Sequence, residues 1–173
     1  IDACREFSEN SDYPLHLGVT EAGTLLQSAI KSSLGIGMLL AEGIGDTIRV
    51  SVTGDPVQEM KVAWGILRAL KLRERGPEII SCPTCGRCEI DLLALVEEAE
   101  RKLAHLKPPL KVALMGCVVN GPGEAAEADI GIAGGKGVGM LFKKGHMVRK
   151  IKEAEFIPVL LAEIEKLKQE TAD

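Results

Sequence analysis

Strand patterns alternate with helix patterns through the first half of the chain, and this order constrains the fold more than any other feature. Strands and helices of two successive β–α units are predicted at residues 15–20, 21–40, 47–53 and 55–73. Asp55, Pro56 and Gln58 predict a capped start for the second of these helices, and Gly76-Pro77 predicts its end. Because strands joined through helices usually pair in parallel, the pattern indicates a parallel sheet.

Two β–α units are too few to close a barrel, and an open parallel sheet leaves both edges unpaired. We therefore expect residues 1–76 to be the last units of a larger α/β domain whose first part is absent from this chain. A second domain is expected over residues 77–173. Its strands and helices are predicted at 79–81, 89–106, 111–115, 129–133, 138–142, 147–151 and 156–169. The sequence GGKG predicts a hairpin turn, and GCVVNGPGE predicts a loop.

Composition narrows the possible function classes. The net charge is −4 and aromatic residues make up 3% of the chain, whereas nucleic-acid binding usually needs a basic field and aromatic stacking platforms. No apolar run approaches the ~18–20 residues that a membrane span needs. The cysteine count is odd, with three cysteines inside seven residues, which is unlike a secreted disulfide framework. We expect a reduced, cytoplasmic protein that binds neither nucleic acid nor membrane.

Four cysteines indicate a metal or redox centre. Cys82, Cys85 and Cys88 form the motif CPTCGRC between a predicted strand and a predicted helix, and Cys117 directly follows another predicted strand. A CxxC pair places two thiolates on one turn, and a thiolate from a second loop can complete a site. An iron–sulfur cluster is the favoured interpretation, because loop N–H groups can hydrogen-bond to its sulfurs and adjust its potential.

Three other interpretations compete with the cluster. Structural zinc needs four closed Cys or His ligands, but the second half of the motif offers one cysteine rather than a pair. A thiol–disulfide CxxC before a helix would have a lowered thiol pKa, but it leaves Cys88 and Cys117 unexplained. Buried, inert cysteines would not need this spacing. The fourth ligand also stays open, since Cys88 would give an all-thiolate cluster and Glu124 would give a more easily displaced carboxylate.

The segments SCPTCGRC and MGCVVNGPGEAAEADIGIAGG, together with HLGVTEAG and IRVSVTGDP, resemble the 4-hydroxy-3-methylbut-2-enyl diphosphate synthases of the non-mevalonate isoprenoid pathway. The resemblance covers essentially the whole chain. It implies the C-terminal portion of a TIM (β/α)8 barrel followed by a sulfite/nitrite-reductase-like [4Fe-4S] domain. Barrel active sites lie at the C-terminal ends of the strands. In this family a head-to-tail homodimer brings the cluster domain of one subunit to the barrel of the other.

The resemblance also implies roles for individual residues. Metal ligands would be the residues that match the family's three cysteines and one glutamate, namely Cys82, Cys85, Cys117 and Glu124, which leaves Cys88 a non-ligand. Arg49, Ser51 and Asn120 would bind substrate, and Glu21 would be the acidic catalytic residue.

Spacing agrees with an anion site in the first domain. Residues i and i+2 of a strand point to one face, and an inward Arg49 needs an anion such as a diphosphate. The simpler alternatives are a solvated Arg49 on an edge strand and a Glu21 that only complements a helix dipole.

The implied reaction is a two-electron reductive ring opening of 2-C-methyl-D-erythritol 2,4-cyclodiphosphate, with flavodoxin or ferredoxin as the electron donor. The product would be 4-hydroxy-3-methylbut-2-enyl diphosphate. We expect this chain alone to be inactive, because it would lack the first barrel units. The alternative function is a non-catalytic electron-transfer module or a zinc-stabilised binding module, which an all-cysteine site would favour.

Overall fold

The structure is a computed structural model that describes residues 1–170. It has mixed α/β content and divides into two compact units, of which the first is Ile1–Arg75 and the second begins at Gly76. The division lies just before Gly76, which has a φ of 70°, a backbone conformation that suits glycine. Within the described residues, no helix has the length and apolar character to cross a membrane.

The first unit contains two successive β–α units, as predicted. Its elements are α1 (Asp2–Asn10), β1 (His16–Gly18), α2 (Leu25–Ala41), β2 (Thr47–Arg49) and α3 (Val57–Ala69). The two strands pair in parallel, with His16 opposite Thr47 and Gly18 opposite Arg49. Buried apolar side chains from β1, from the residue after β2 and from both following helices form one core: Leu17, Ile36, Leu39, Val50 and Ile66.

Several details of the first unit differ from the predictions. Both strands are shorter than predicted, because within residues 1–170 each is paired only with the other and the ladder extends over three residue pairs. Helix α1 was not predicted. The predicted capping box is wrong: the N-cap of α3 is Pro56, without a side-chain cap. Asp55 instead accepts a hydrogen bond from the N–H of Val57 at 3.0 Å, which makes a local turn before the helix.

The second unit is a five-stranded sheet with helices on its faces. Its elements are β3 (Pro77–Ser81), α4 (Leu92–Leu103), β4 (Leu110–Met115), α5 (Gly121–Ala126), β5 (Ile130–Gly135), β6 (Val138–Lys143), β7 (His146–Lys152) and α6 (Phe156–Glu170), with a 3₁₀ turn at Glu153–Glu155 before α6. The strand order is β3-β4-β5-β6-β7. The first three strands are parallel, and β5-β6 and β6-β7 are antiparallel, so the hairpin predicted at GGKG is confirmed.

Successive side chains of the central strands point to opposite faces of this sheet, so that each face has its own core. Leu114 and Ile132 belong to the larger cluster, which includes residues of α4 and α6. Their neighbours Ala113 and Ala133 belong to the smaller cluster, which includes Ala125 of α5. This is the period of two that a strand imposes on its side chains. Both faces are therefore covered in the part of the sheet that precedes the cysteine loops.

Helix α5 lies where the sequence predicted only a loop. Gly121, Pro122 and Gly123 are typical of a turn, yet proline is well accommodated in the first turn of a helix. Gly121 is buried, and a Cβ at this position would lie 3.0 Å from Cβ of Met115. The absence of a side chain therefore lets the start of the helix pack directly on the sheet, a tertiary contact that the local pattern does not reveal.

Candidate metal centre

The parallel strands of the second unit deliver the cysteine-bearing loops to one edge of the sheet. Strand β3 ends at Ser81 and is followed by Cys82, while β4 ends at Met115 and is followed by Gly116 and Cys117. Ser81 lies opposite Leu114 in the parallel ladder. The two loops therefore start side by side, which is the arrangement that the spacing of the motif required.

The cysteines at this edge differ in their surroundings. Cys117 is buried, with 8% of its surface exposed, whereas Cys85 is exposed. Cys82 and Cys88 are half-buried, and Cys82 contacts residues of both core clusters. All of these cysteines are free thiols. The thiol of Cys117 is therefore buried, whereas the thiols of the CPTCGRC segment are more accessible.

Backbone N–H groups favour the thiolate form of Cys117. Those of Asn120, Val119 and Gly121 are directed at its sulfur and lower the pKa of the Cys117 thiol, in that order of effect. Burial opposes the shift, and the Arg87 guanidinium adds to it. A sulfur that accepts several N–H hydrogen bonds is a typical iron–sulfur ligand.

Cys85 is also biased toward the thiolate. The pKa of its thiol is lowered chiefly by a hydrogen bond from the backbone N–H of Arg87, and further by the Arg87 side chain. The negative charge of Cys117 acts against this shift, so the two sulfurs lie near enough to interact electrostatically. Arg87 therefore serves both sulfurs as a shared cation.

Cys88 is engaged differently from the other three cysteines at this edge. Its Sγ donates a hydrogen bond to the carbonyl oxygen of Ile90 at 3.3 Å, and the residue packs against the larger core cluster. A Cβ placed on Gly116 would collide with Sγ of Cys88. The thiol of Cys88 thus occupies the space that the glycine leaves open.

The donor chemistry of the loops suits an iron–sulfur cluster, but the side chains are not gathered into a metal shell. Among residues 1–170, no group of three or more His, Cys, Asp or Glu side chains is placed so that it could hold a metal ion. Glu124 is exposed in the first turn of α5, and Asn120 is the exposed N-cap residue of that helix. Cys85 and Cys117 fit an iron–sulfur cluster because their surroundings favour the thiolate form.

Glu89 is a residue of this edge that the sequence interpretation missed. Its backbone N–H donates a hydrogen bond to the carbonyl oxygen of Gly116 at 2.8 Å. Its carboxylate Oε2 accepts a hydrogen bond from the N–H of Lys136, at the β5-β6 turn, at 3.2 Å. The sequence carries no signal for this link, because the two partners of the side-chain bond are 47 residues apart.

In the first unit, the predicted substrate residues follow the two parallel strands. Gly18 ends β1 opposite Arg49, which ends β2, so Glu21 and Ser51 both lie in the loops beyond one edge. The N–H of Thr53 donates to the carbonyl oxygen of Gly23 at 2.8 Å and joins these loops. The sequence prediction that Ser51 lies in the same strand as Arg49 is wrong, because β2 ends at Arg49.

Arg49 and Ser51 have contacts that hold them in place. Nη2 of Arg49 donates to Oγ1 of Thr20 at 3.0 Å. The carbonyl oxygen of Ser51 accepts a hydrogen bond from Oγ of the buried Ser28 at 2.6 Å. Glu21 is exposed, and its carbonyl oxygen accepts a bond from Nζ of Lys31 at 2.7 Å.

Comparison with known proteins gives matches over nearly the whole chain. A protein of Geobacter sulfurreducens is 57% identical over 167 residues, covering 96% of this chain and 47% of the relative. A protein of Caldanaerobacter subterraneus is 61% identical over 170 residues, covering 98% of this chain and 48% of the relative. Both are named 4-hydroxy-3-methylbut-2-en-1-yl diphosphate synthase (flavodoxin). The chain spans about half the length of these relatives.

Two domain families divide the chain between them. Residues 1–64 match the GcpE TIM-barrel domain, and residues 78–166 match the GcpE protein C-terminal domain. The resemblance found in the sequence is confirmed by these matches and by the relatives. The chain belongs to the GcpE family.

Proposed function

We propose that the protein takes part in the two-electron reductive ring opening of 2-C-methyl-D-erythritol 2,4-cyclodiphosphate to 4-hydroxy-3-methylbut-2-enyl diphosphate, in non-mevalonate isoprenoid biosynthesis. The observation that carries this proposal is the pair of thiolate-favouring loops at one sheet edge, in a chain whose relatives bear the name of that synthase. The relatives' name supports flavodoxin as the electron donor, with ferredoxin as the related alternative. The working enzyme would be a cytoplasmic homodimer.

The domain over residues 77–173 would be the cluster domain, with the sulfite/nitrite-reductase-like fold. Cys82, Cys85, Cys117 and Glu124 would hold a [4Fe-4S] cluster. When bound, the cluster supplies single electrons and Lewis acidity. The engagement of Cys88 with Ile90 supports its exclusion from the ligand set.

The domain over residues 1–76 would contain the last units of the barrel and hold the diphosphate. Arg49 presents a planar guanidinium, which suits two oxygens of a phosphate at once, and Ser51 adds a hydroxyl donor. Ser28 supports this arrangement because it fixes the carbonyl of Ser51 and hence the loop. Exposed Glu21 would deliver a proton to the hydroxyl that leaves as water, while Asn120 contacts the substrate.

Cluster analysis tests the site directly on this chain. We would measure iron and sulfide anaerobically and record Mössbauer spectra for the parent chain and for Glu124→Ala. Four irons and four sulfides, with one distinct iron site that changes in the variant, would support the proposal. Zinc, or four equivalent iron sites indifferent to Glu124, would contradict it and favour a structural or electron-relay module.

Turnover tests the reaction. The chain would be joined to the upstream barrel segment of the Geobacter sulfurreducens relative, and product formation followed with reduced flavodoxin. We expect turnover by this chimera, its loss in Glu21→Gln, and none by the chain alone. An active Glu21→Gln chimera would remove the proposed role of this carboxylate. A cluster-loaded chimera without turnover, under conditions in which the relative is active, would contradict the proposed reaction.

A further inference from the structure

Glu89 links three segments at the cysteine edge, through its backbone N–H and its carboxylate. The residue follows Cys88 directly, its N–H is bonded to the carbonyl of Gly116 at 2.8 Å, and its Oε2 accepts from the N–H of Lys136 at 3.2 Å. A Cβ on Gly135 would lie 3.4 Å from the same oxygen. One residue therefore joins the CPTCGRC segment, the loop that contains Cys117 and the β5-β6 hairpin.

The hairpin is a suitable anchor because it belongs to the core of the second unit. Gly134 pairs with Gly139, and Gly135 pairs with Val138, in the antiparallel ladder that ends at the turn. Gly135 is buried. The cysteine loops have no ladder of their own beyond Ser81 and Met115, so their position depends on contacts such as those of Glu89.

The contacts of Glu89 indicate a positioning role rather than a solvated charge. Within residues 1–170, no Lys, Arg or His side chain forms an ion pair with this exposed carboxylate, and its fixed partner is a backbone N–H. Helix capping does not account for it either. Asp91 is the N-cap residue of α4 and accepts from the N–H of Ala94 at 3.1 Å.

We propose that Glu89 is a positioning residue that holds the CPTCGRC segment and the Cys117 loop in fixed relation to the β5-β6 hairpin. Loss of its carboxylate would let the Cys117 loop open more often. Because Lys136 is exposed, water can take the place of the lost acceptor, so the opening equilibrium changes by roughly two- to tenfold. The proposal deepens the proposed cluster site, but the geometry it describes exists in the chain without metal.

Alkylation of the metal-free chain tests the proposal. We would treat it with iodoacetamide and follow the labelling of each cysteine by peptide mass spectrometry. In Glu89→Ala, we expect Cys117 to be labelled about two to ten times faster than in the parent. Cys4, in α1 of the first unit, serves as the internal reference, and its labelling rate should change little.

Two further variants make the result specific. Glu89→Gln keeps an oxygen that can accept from Lys136, so its Cys117 labelling should stay near that of the parent. Glu97→Ala removes an exposed carboxylate from α4 and should have no effect. The proposal is overturned if Cys117 is labelled equally fast in the parent and in Glu89→Ala, or if Glu89→Gln accelerates labelling as much as Glu89→Ala does.

A second readout addresses the loaded protein. After anaerobic reconstitution, the loss of iron in air should be several-fold faster in Glu89→Ala than in the parent or in Glu89→Gln. Equal rates of loss would overturn the proposed role of Glu89 at the cluster. If the parent binds no iron, the proposed function fails, whereas the alkylation result still decides whether Glu89 fixes the Cys117 loop.

Discussion

Gly131 sits beneath the helix that contains Glu124, and this contact gives a sharp test of the packing. A Cβ on Gly131 would lie 2.6 Å from the carbonyl oxygen, 2.8 Å from Cβ and 2.9 Å from Cα of Ala125. Both residues are buried. None of these atoms belongs to a flexible side chain that could rotate aside, so in Gly131→Ala helix α5 and strand β5 must move apart.

The expected magnitude follows from the cost of overpacking. Forcing an extra methyl into a close-packed contact typically destabilises a protein by about 1–3 kcal/mol. For a domain of up to about 100 residues, this lowers the midpoint of thermal unfolding by roughly 4–8 °C per kcal/mol. The matched control is Gly123→Ala in α5, where an added Cβ has nothing within 4 Å. Replacing a glycine inside a helix should be neutral, or stabilising by up to ~1 kcal/mol.

Two optical probes separate the units in a urea titration. The single tryptophan, Trp64, lies in α3 and reports on the first unit, while circular dichroism reports on both. We expect Gly131→Ala to lower the free energy of unfolding seen by circular dichroism and to leave the fluorescence transition in place. A Gly131→Ala variant as stable as Gly123→Ala would refute the close contact between β5 and α5.

Three further results are expected. Cys88→Ala should retain the iron and sulfide content of the parent, whereas an all-thiolate cluster would lose iron. Ser28→Ala removes the donor to the Ser51 carbonyl and should cost about 1–2 kcal/mol in the tryptophan-detected transition; an unchanged midpoint would show that this bond is not formed. Because Arg87 lowers the pKa of Cys85, alkylation of Cys85 in the metal-free chain should persist below the ordinary thiol pKa of about 8.5. Arg87→Ala should raise the pH midpoint of this alkylation only in part, since the backbone N–H of residue 87 remains.

The elements of the fold that sequence patterns predicted are those fixed by local periodicity. The parallel pair β1-β2, the β5-β6 hairpin and the terminal helix α6 all have apolar residues at the spacing that their secondary structure needs. Helix α5 was missed because its helical state depends on contact with the sheet. The capping box before α3 failed because the N-cap is Pro56, which has no capping side chain, while Asp55 accepts from the N–H of Val57 in the turn before the helix.

At the candidate site, spacing indicated the cysteines but not their individual states. CxxC motifs and strand ends are visible in one dimension, so Cys82 and Cys117 could be placed at one edge in advance. The N–H groups directed at Cys117 depend on the conformation of the following turn. The link from Glu89 to Lys136 depends on which loop the hairpin lies against. Such contacts between distant segments are properties of the folded chain.

The structure bears most directly on the alternative that the residues alone left open, the choice between Cys88 and Glu124. Ligation by Cys88 would require its thiol to leave the carbonyl of Ile90 and the space above Gly116. The carbonyl of Ile90 would keep its hydrogen bond from the N–H of Leu92, at 2.9 Å, but a void beside Gly116 would remain unless the loop rearranged, and such a void is unfavourable. Glu124 is exposed in the first turn of α5, so its carboxylate can turn toward a metal without any such loss. These contacts of Cys88 support the proposal of a displaceable carboxylate as the fourth ligand, which is what direct substrate chemistry at the cluster requires and what a simple electron relay does not.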